Sequence, residues 1–348
     1  MAIPSTTREY FLPKVGSFDN LTLHTKNVNQ PKRNEVLVKV HAVSLQYRDL
    51  IIATGHFPTG GPPDVVPCSD MAGEIVAIGP DVKNWKTGDR ICANFASDFI
   101  FGPFTPSMQK TALGGPTHGV LTEYRTFPAH SLVTIPEHLS YEEASTLPCA
   151  AVTAYNALLG SVPVKAGDYV LILGTGGVSI FGLQIAVASG AEVIVTSSSD
   201  EKLKIAKKLG AKHIINYKTT PNWDEEVLKI TNGAGVNHIL EVGGQGTLLK
   251  SINSSTIGGY VHLIGWVSKD VNGADIVIPA IFHGATLHPV MAGSLSQFLD
   301  LNRLLCANPN KTRPVIDKVF FFEEAKHAYE YLASQAHVGK VVIKVSKD

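Results

Sequence analysis

From about residue 140 onward, short apolar runs alternate with segments of helical period. YVLILG, AEVIVTS, HIINY, VNHILEV and GYVHLIG are separated by SIFGLQIAVASG, EKLKIAKKLGA, EEVLKITNG and GTLLKSINSST. Strand–helix alternation with short connections dictates a parallel, doubly wound sheet. The near-continuous apolar run of YVLILG agrees, because a strand covered on both faces has no polar side. The first third of the chain follows a different grammar. EVLVKVHAVSL alternates as a half-buried strand does, and AGEIVAIG, DRICANF and VLTEYRTF follow as short strands between turns. The tail, FFFEEAKHAYEYLASQAHVGKVVIKVS, adds a helix and a closing strand. The expected class is α/β, a doubly wound sheet beside a β-rich part.

A chain of 348 residues suits two domains rather than one core. Hydrophobic residues make up 44% and charged residues 17%, which excludes a disordered chain. The formal net charge is zero and there is no Lys/Arg run, so neither nucleic acid nor an anionic membrane surface is expected as a partner. No apolar stretch reaches the roughly 20 residues that span a bilayer. The segment MAIPSTTREYFLPKVG lacks the apolar run of a secretory signal. Cys68, Cys92, Cys149 and Cys306 are scattered without a CxxC pair, which favours reduced thiols and a cytoplasmic protein. The expected partner is a small molecule.

GTGGVS, residues 174–179, sits between strand YVLIL and the helix that follows. Gly174, Thr175, Gly176, Gly177 and Val178 would let the backbone turn tightly against a pyrophosphate, whose charge then meets the helix N-terminus. Ser179 replaces the usual third glycine or alanine, and a glycine-rich turn without a ligand remains an open reading. The next strand ends TSSSDEKL, where NAD-specific sites carry a carboxylate for the ribose 2′-hydroxyl. Ser197 and Ser198, with Lys202 one turn on, suit a 2′-phosphate instead. The same serines could simply cap helix EKLKIAKKL, and both readings can hold together.

SLQYRDLIIATGHFP, PCSDMAGEIVAIGPDV, WKTGDRI, EEASTLPCAAVTAYNAL, LGTGGVSIFGLQIA, KKLGAKHIINY, LEVGG and GKVVIKV together resemble the zinc-independent medium-chain dehydrogenases/reductases, the quinone-oxidoreductase and enoyl-reductase-like branch. The resemblance implies a GroES-like β-rich substrate domain from residues 1–128 and 296–348, around a Rossmann domain at 129–295. It implies NADP(H), with Lys202 and Tyr217 at the 2′-phosphate. It also implies that Thr153, Val242, Gly243, Ile264, Gly265, Gly339 and Lys340 line the dinucleotide path.

Zinc members of the superfamily place ligands where this chain has Gln46, Ser69 and Cys149. One ligand of three does not hold a catalytic zinc, so no metal is expected. Without one, donors must stabilise developing charge and a group must supply a proton. Tyr47 is the candidate donor, with Arg48 or Asp49 tuning it; a tyrosine that only forms cleft wall, beside a structural Arg48–Asp49 pair, is the alternative. Enoyl-thioester reductases carry a proton-donating Tyr where this chain has Phe57, so that mechanism is not expected. Among the histidines, His41 lies on a strand, His118 and His130 near loops, and His213 and His238 before strands, none with a catalytic signature.

The expected activity is NADPH-dependent hydride transfer to a small unsaturated carbonyl compound, whether quinone, enal, enone, aldehyde or ketone. Two other readings are a zinc-free alcohol dehydrogenase acting mainly on C=O and a non-catalytic NADPH-binding protein. Relatives pair strands like those in ADIVIPAIFHGATLHPVMAGS across a two-fold axis, so a homodimer is expected.

Overall fold

The computed structural model describes residues 3–57, 63–268 and 273–347. The chain forms two compact units, Met1–Val152 with Gly293–Ala307 and Arg313–Asp348, and Thr153–Ala292 with Asn308–Thr312. In chain order the strands of the first unit begin with β1 (Thr6–Phe11), β2 (Thr22–Asn27), β3 (Glu35–Ser44) and β4 (Asp70–Ile78). They continue with β5 (Arg90–Ala93), β6 (Tyr124–Pro128) and β7 (Leu132–Thr134). The second unit holds β8 (Tyr169–Leu173), β9 (Glu192–Ser197), β10 (His213–Asn216), β11 (Val236–Glu241), β12 (Ser255–Leu263) and β13 (Thr286–Pro289). The chain then returns to the first unit with β14 (Ile316–Phe321) and β15 (Lys340–Lys344).

The first unit is a mostly antiparallel sheet in the order β14-β15-β3-β4-β5-β7, with β6 also on β3 and a separate β1–β2 pair. β3 departs from the expected alternation, since every residue from Val40 to Ser44 is buried. It is a central strand, paired with β4, β6 and β15, so at this end neither face is left to water. Register matters for the chemistry. Ser44 pairs with Asp70 on one side and with Val342 on the other. The exit of β3, the start of β4 and the start of β15 therefore meet at one end of the sheet.

The second unit is a six-stranded parallel sheet in the order β10-β9-β8-β11-β12-β13. This doubly wound order reverses direction between β8 and β11, which creates a crevice at the carboxyl ends of those strands. Helix Gly177–Ala188 packs on one face so closely that a Cβ on Gly182 would lie 2.3 Å from Leu240 Cδ2. Trp223, Val227, Ile252 and Ala280 cover the other face, against Leu171, Ile239 and Val261. Burying such side chains contributes about 1.5–3 kcal/mol each, before the cost of ordering them. The architecture is a Rossmann sheet plus a GroES-like β-rich unit. No helix among the described residues is long and apolar enough to cross a membrane.

Candidate functional site

In the parallel unit, β8 ends at Leu173 and Gly174 takes φ +73°, a conformation that side chains disfavour. Gly174 N–H donates to Thr196 O at 2.9 Å, which ties the turn to β9. Gly176 is the N-cap of helix Gly177–Ala188 and offers no side-chain cap to the first turn. A Cβ built on Gly176 meets nothing within 4 Å, so open space lies over these uncapped N–H groups. Ser179, irregular in the sequence pattern, turns its hydroxyl inward to donate to Leu173 O at 2.7 Å. Gly182 supplies the close helix–strand contact that the usual third glycine gives.

The tip of β9 gathers the phosphate candidates. Ser197 is buried and its carbonyl accepts from Tyr217 N at 3.0 Å, while Ser198 and Lys202 are half-buried. Ser199 caps helix Asp200–Lys208 by accepting from Lys202 N. Capping therefore falls to Ser199, and Ser197, Ser198, Lys202 and Tyr217 share one strand-end region. The open glycine turn and the strand end beside it fit a nicotinamide dinucleotide.

Sequence reasoning missed Glu241, the last residue of β11. Its buried Oε1 accepts from Gly243 N at 2.7 Å, Gly244 N at 2.9 Å and Thr247 Oγ1 at 2.6 Å, and its Oε2 accepts from Ser251 Oγ. Its carbonyl accepts from Ile264 N at 2.9 Å, and Val242 O accepts from Val267 N at 3.1 Å. Glu241 thus brings Val242, Gly243, Ile264 and Gly265 together. The signal was a lone acidic residue ending an apolar strand just before two glycines. Thr153 lies buried in helix Val152–Leu159. Gly339 and Lys340 belong to the first unit.

In the first unit, the strand end defined by Ser44 and Asp70 carries a buried polar cluster. Gln46 Nε2 donates to Asp70 Oδ2 at 2.6 Å, Ser69 Oγ donates to Asp70 Oδ1 at 2.6 Å, and Cys149 N donates to Asp70 Oδ2 at 3.0 Å. Cys149 stands on a π-helical turn, Leu147–Ala151, a distortion common at functional sites. Lys340 is buried here and donates from Nζ to Leu45 O. Asp49 accepts from Gln46 N at 2.8 Å through Oδ2, whereas its buried Oδ1 has no partner. Burial pushes the Asp49 carboxyl up to about 7, against the opposing pull of Arg48. Burial likewise raises Asp70, lowers Lys340, and holds Cys149 as a thiol with its pKa pushed up to about 12. Tyr47 begins helix Tyr47–Ala53, half-buried, and its hydroxyl makes no hydrogen bond among the described residues.

These donors do not suit a zinc ion. Gln46 and Ser69 stand at two of the three ligand positions, and both present protons to Asp70. No group of three or more metal-binding side chains occurs among the described residues.

A family model for the alcohol dehydrogenase GroES-like domain matches residues 32–137, and one for zinc-binding dehydrogenases matches residues 177–305. A zinc-type alcohol dehydrogenase-like protein of Schizosaccharomyces pombe is 47% identical over 338 residues, covering 95% of this chain and 97% of that protein. The chain belongs to the medium-chain dehydrogenase/reductase superfamily. It is an oxidoreductase of that superfamily. It is also similar to a quinone oxidoreductase of Sus scrofa, 30% identical with 90% of each chain covered. A solved structure of a candidate alcohol dehydrogenase from Sinorhizobium meliloti superimposes with a TM-score of 0.91 at 36% identity, covering 99% of this chain and 100% of that one. An NAD-dependent alcohol dehydrogenase superimposes at 0.88 with 28% identity, covering 97% and 100%.

Proposed function

We propose that this chain is a zinc-independent, NADP(H)-dependent reductase of small unsaturated carbonyl compounds: quinones, enals, enones, aldehydes or ketones. The observation that carries the metal-free reading is the orientation of Gln46 and Ser69, which donate to Asp70 where zinc members would hold a cation. Cofactor preference is not carried by the family, since one similar structure is NAD-dependent. It is supported by the hydroxyls of Ser197 and Ser198 and the ammonium of Lys202 at the end of β9, where an NAD site would carry a carboxylate. All four cysteines are unpaired, in keeping with a cytoplasmic protein.

The bound dinucleotide supplies the hydride, and the protein orients and protonates. The backbone of Gly174–Val178 receives the pyrophosphate. Val242, Gly243, Ile264, Gly265 and Thr153 line the rest of the dinucleotide. The Tyr47 hydroxyl delivers the proton, and Asp49 sets its surroundings.

The protein works as a homodimer. β13 has an open edge, and Val277, Ile278, Ile281 and Phe282 of the adjoining helix Val277–His283 expose 58–78% of their surface. A second copy would pair that edge and cover those side chains. A monomeric mass by light scattering at micromolar concentration would exclude it. For the activity, a panel of enones, quinones and aldehydes is incubated with NADPH and the products identified. Saturated carbonyls mean C=C reduction and alcohols mean C=O reduction. Absence of NADPH oxidation with every electrophile would reduce the chain to a nucleotide binder.

A further inference from the structure

Arg48 is held rigidly beside the Asp49–Asp70 cluster, and most of its hydrogen-bonding capacity is unused. Its guanidinium carbon lies 5.0 Å from the centre of the Phe95 ring and 5.4 Å from that of Phe57. Nη1 donates to Leu113 O at 2.8 Å. A Cβ on Gly115 would stand 2.2 Å from Nη2, so the glycine lets the guanidinium pack in this position. Two rings, one carbonyl and one glycine thus fix the orientation. Nε and Nη2 donate to no protein group among the described residues, and Arg48 as a whole is half-buried. Nε–H and Nη2–H are the parallel pair that grips a carboxylate in a two-pronged bond. Two cations, Arg48 and Lys340, face two carboxylates, Asp49 and Asp70.

We propose that Arg48 binds a negatively charged oxygen of the substrate through its free Nε–H and Nη2–H. This rests on the carbonyl-reductase reading. The oxygen is either a carboxylate the substrate already carries or the carbonyl oxygen that gains charge when hydride adds. In the second case Arg48 does the electrostatic work that a Lewis acid would do.

The test uses Arg48→Met, which keeps the stem and removes the fork, and Arg48→Lys, which keeps the charge and stands in should the first variant not fold. Propionate is titrated into wild type and variant, with binding read by calorimetry. NADPH-dependent kinetics are measured on a neutral enone and on the same enone carrying a carboxylate. Millimolar propionate binding that falls at least tenfold in the variant supports the anion site without reference to turnover, so it stands even if no carbonyl is reduced. A tenfold rise in KM confined to the carboxylate-bearing substrate assigns the charge to the substrate. A tenfold fall in kcat on both substrates at unchanged KM assigns it to the reacting oxygen, whether or not propionate binds. A variant that matches wild type within twofold in propionate binding and in kinetics overturns the proposal.

Discussion

His238 and His262 lie in parallel planes, with His238 Nδ1 3.1 Å from His262 Nε2. His262 Nδ1 is in turn 3.0 Å from His288 Nδ1, so a row of three imidazoles crosses β11, β12 and β13. Three neutral rings carry three N–H protons; two fill the hydrogen bonds and the third sits at one end. Asp168 Oδ2, 3.9 Å from His238 Nε2, favours that end. Tyr260 stacks on His238, His283 bonds Ser255 O, and Lys250 turns away to Asp224 and Pro221. Burial lowers the pKa of His238 and lowers that of His262 to about 3. Unfolded, both rings titrate at about 6.5, so below that pH the unfolded chain binds more protons and stability falls. For His262 the loss between pH 7 and 5 is about 2 kcal/mol, at roughly 1.4 kcal/mol per pH unit. Thermal melts should drop over that interval and drop less in His262→Gln. Equal slopes in the two proteins would refute the assignment.

Glu241 should be expensive to remove. Truncation to alanine strands two backbone N–H groups and two hydroxyls, a loss of about 3–5 kcal/mol by analogy with broken buried charge networks. Thr247→Val removes one bond and should cost about 1–2 kcal/mol. Denaturant midpoints measure both. NADPH affinity should fall in parallel with them, and an unchanged Kd in Glu241→Ala would separate the loop from the cofactor.

NADPH should bind at least tenfold more tightly than NADH, about 1.4 kcal/mol. Lys202→Ala should erase most of that preference by weakening NADPH while sparing NADH. Equal weakening of both cofactors, measured by fluorescence titration, would place the 2′-phosphate elsewhere.

Tyr47→Phe keeps the ring and deletes only the hydroxyl. The expected outcome is a fall in kcat of roughly 10²-fold at near-constant NADPH affinity, the range typical of losing a general acid. Asp49→Asn should act more weakly. Near-normal turnover in Tyr47→Phe would mean that solvent protonates the product, which favours C=C over C=O reduction.

Protein purified without added metal should contain less than stoichiometric zinc and keep its activity in chelator. One tightly held zinc per chain by elemental analysis would contradict the reading of Gln46 and Ser69.

The parallel sheet was legible because its strands are apolar runs separated by helices, a pattern written along the chain. The glycine turn was legible for the same local reason. What escaped depends on register and distance. Asp70 collects donors from residues 46, 69 and 149. The imidazole row joins residues that are 24 and 26 positions apart. His238 was expected before a strand and lies within β11, where it pairs with Tyr260 of β12 and its partner His262 stands two residues further on, opposite Leu240. The inward turn of Ser179 was also invisible, since a serine hydroxyl can bond a backbone carbonyl only once the fold has placed that carbonyl.

The three donors on Asp70 also bear on how the site could change over generations. A catalytic zinc needs three ligands at once, whereas mutations arrive singly. Gln46→Cys or Ser69→His alone takes one donor from a buried carboxylate, at a cost of about 1–3 kcal/mol or more. Neither change completes a metal site that could return that energy. Against a total stability of roughly 5–15 kcal/mol, each intermediate would be handicapped before any benefit appeared. Gln46→Cys should therefore melt below wild type with zinc present or absent. The hydrogen bonds that Gln46 and Ser69 make to Asp70 thus act as a ratchet against the stepwise acquisition of a metal site.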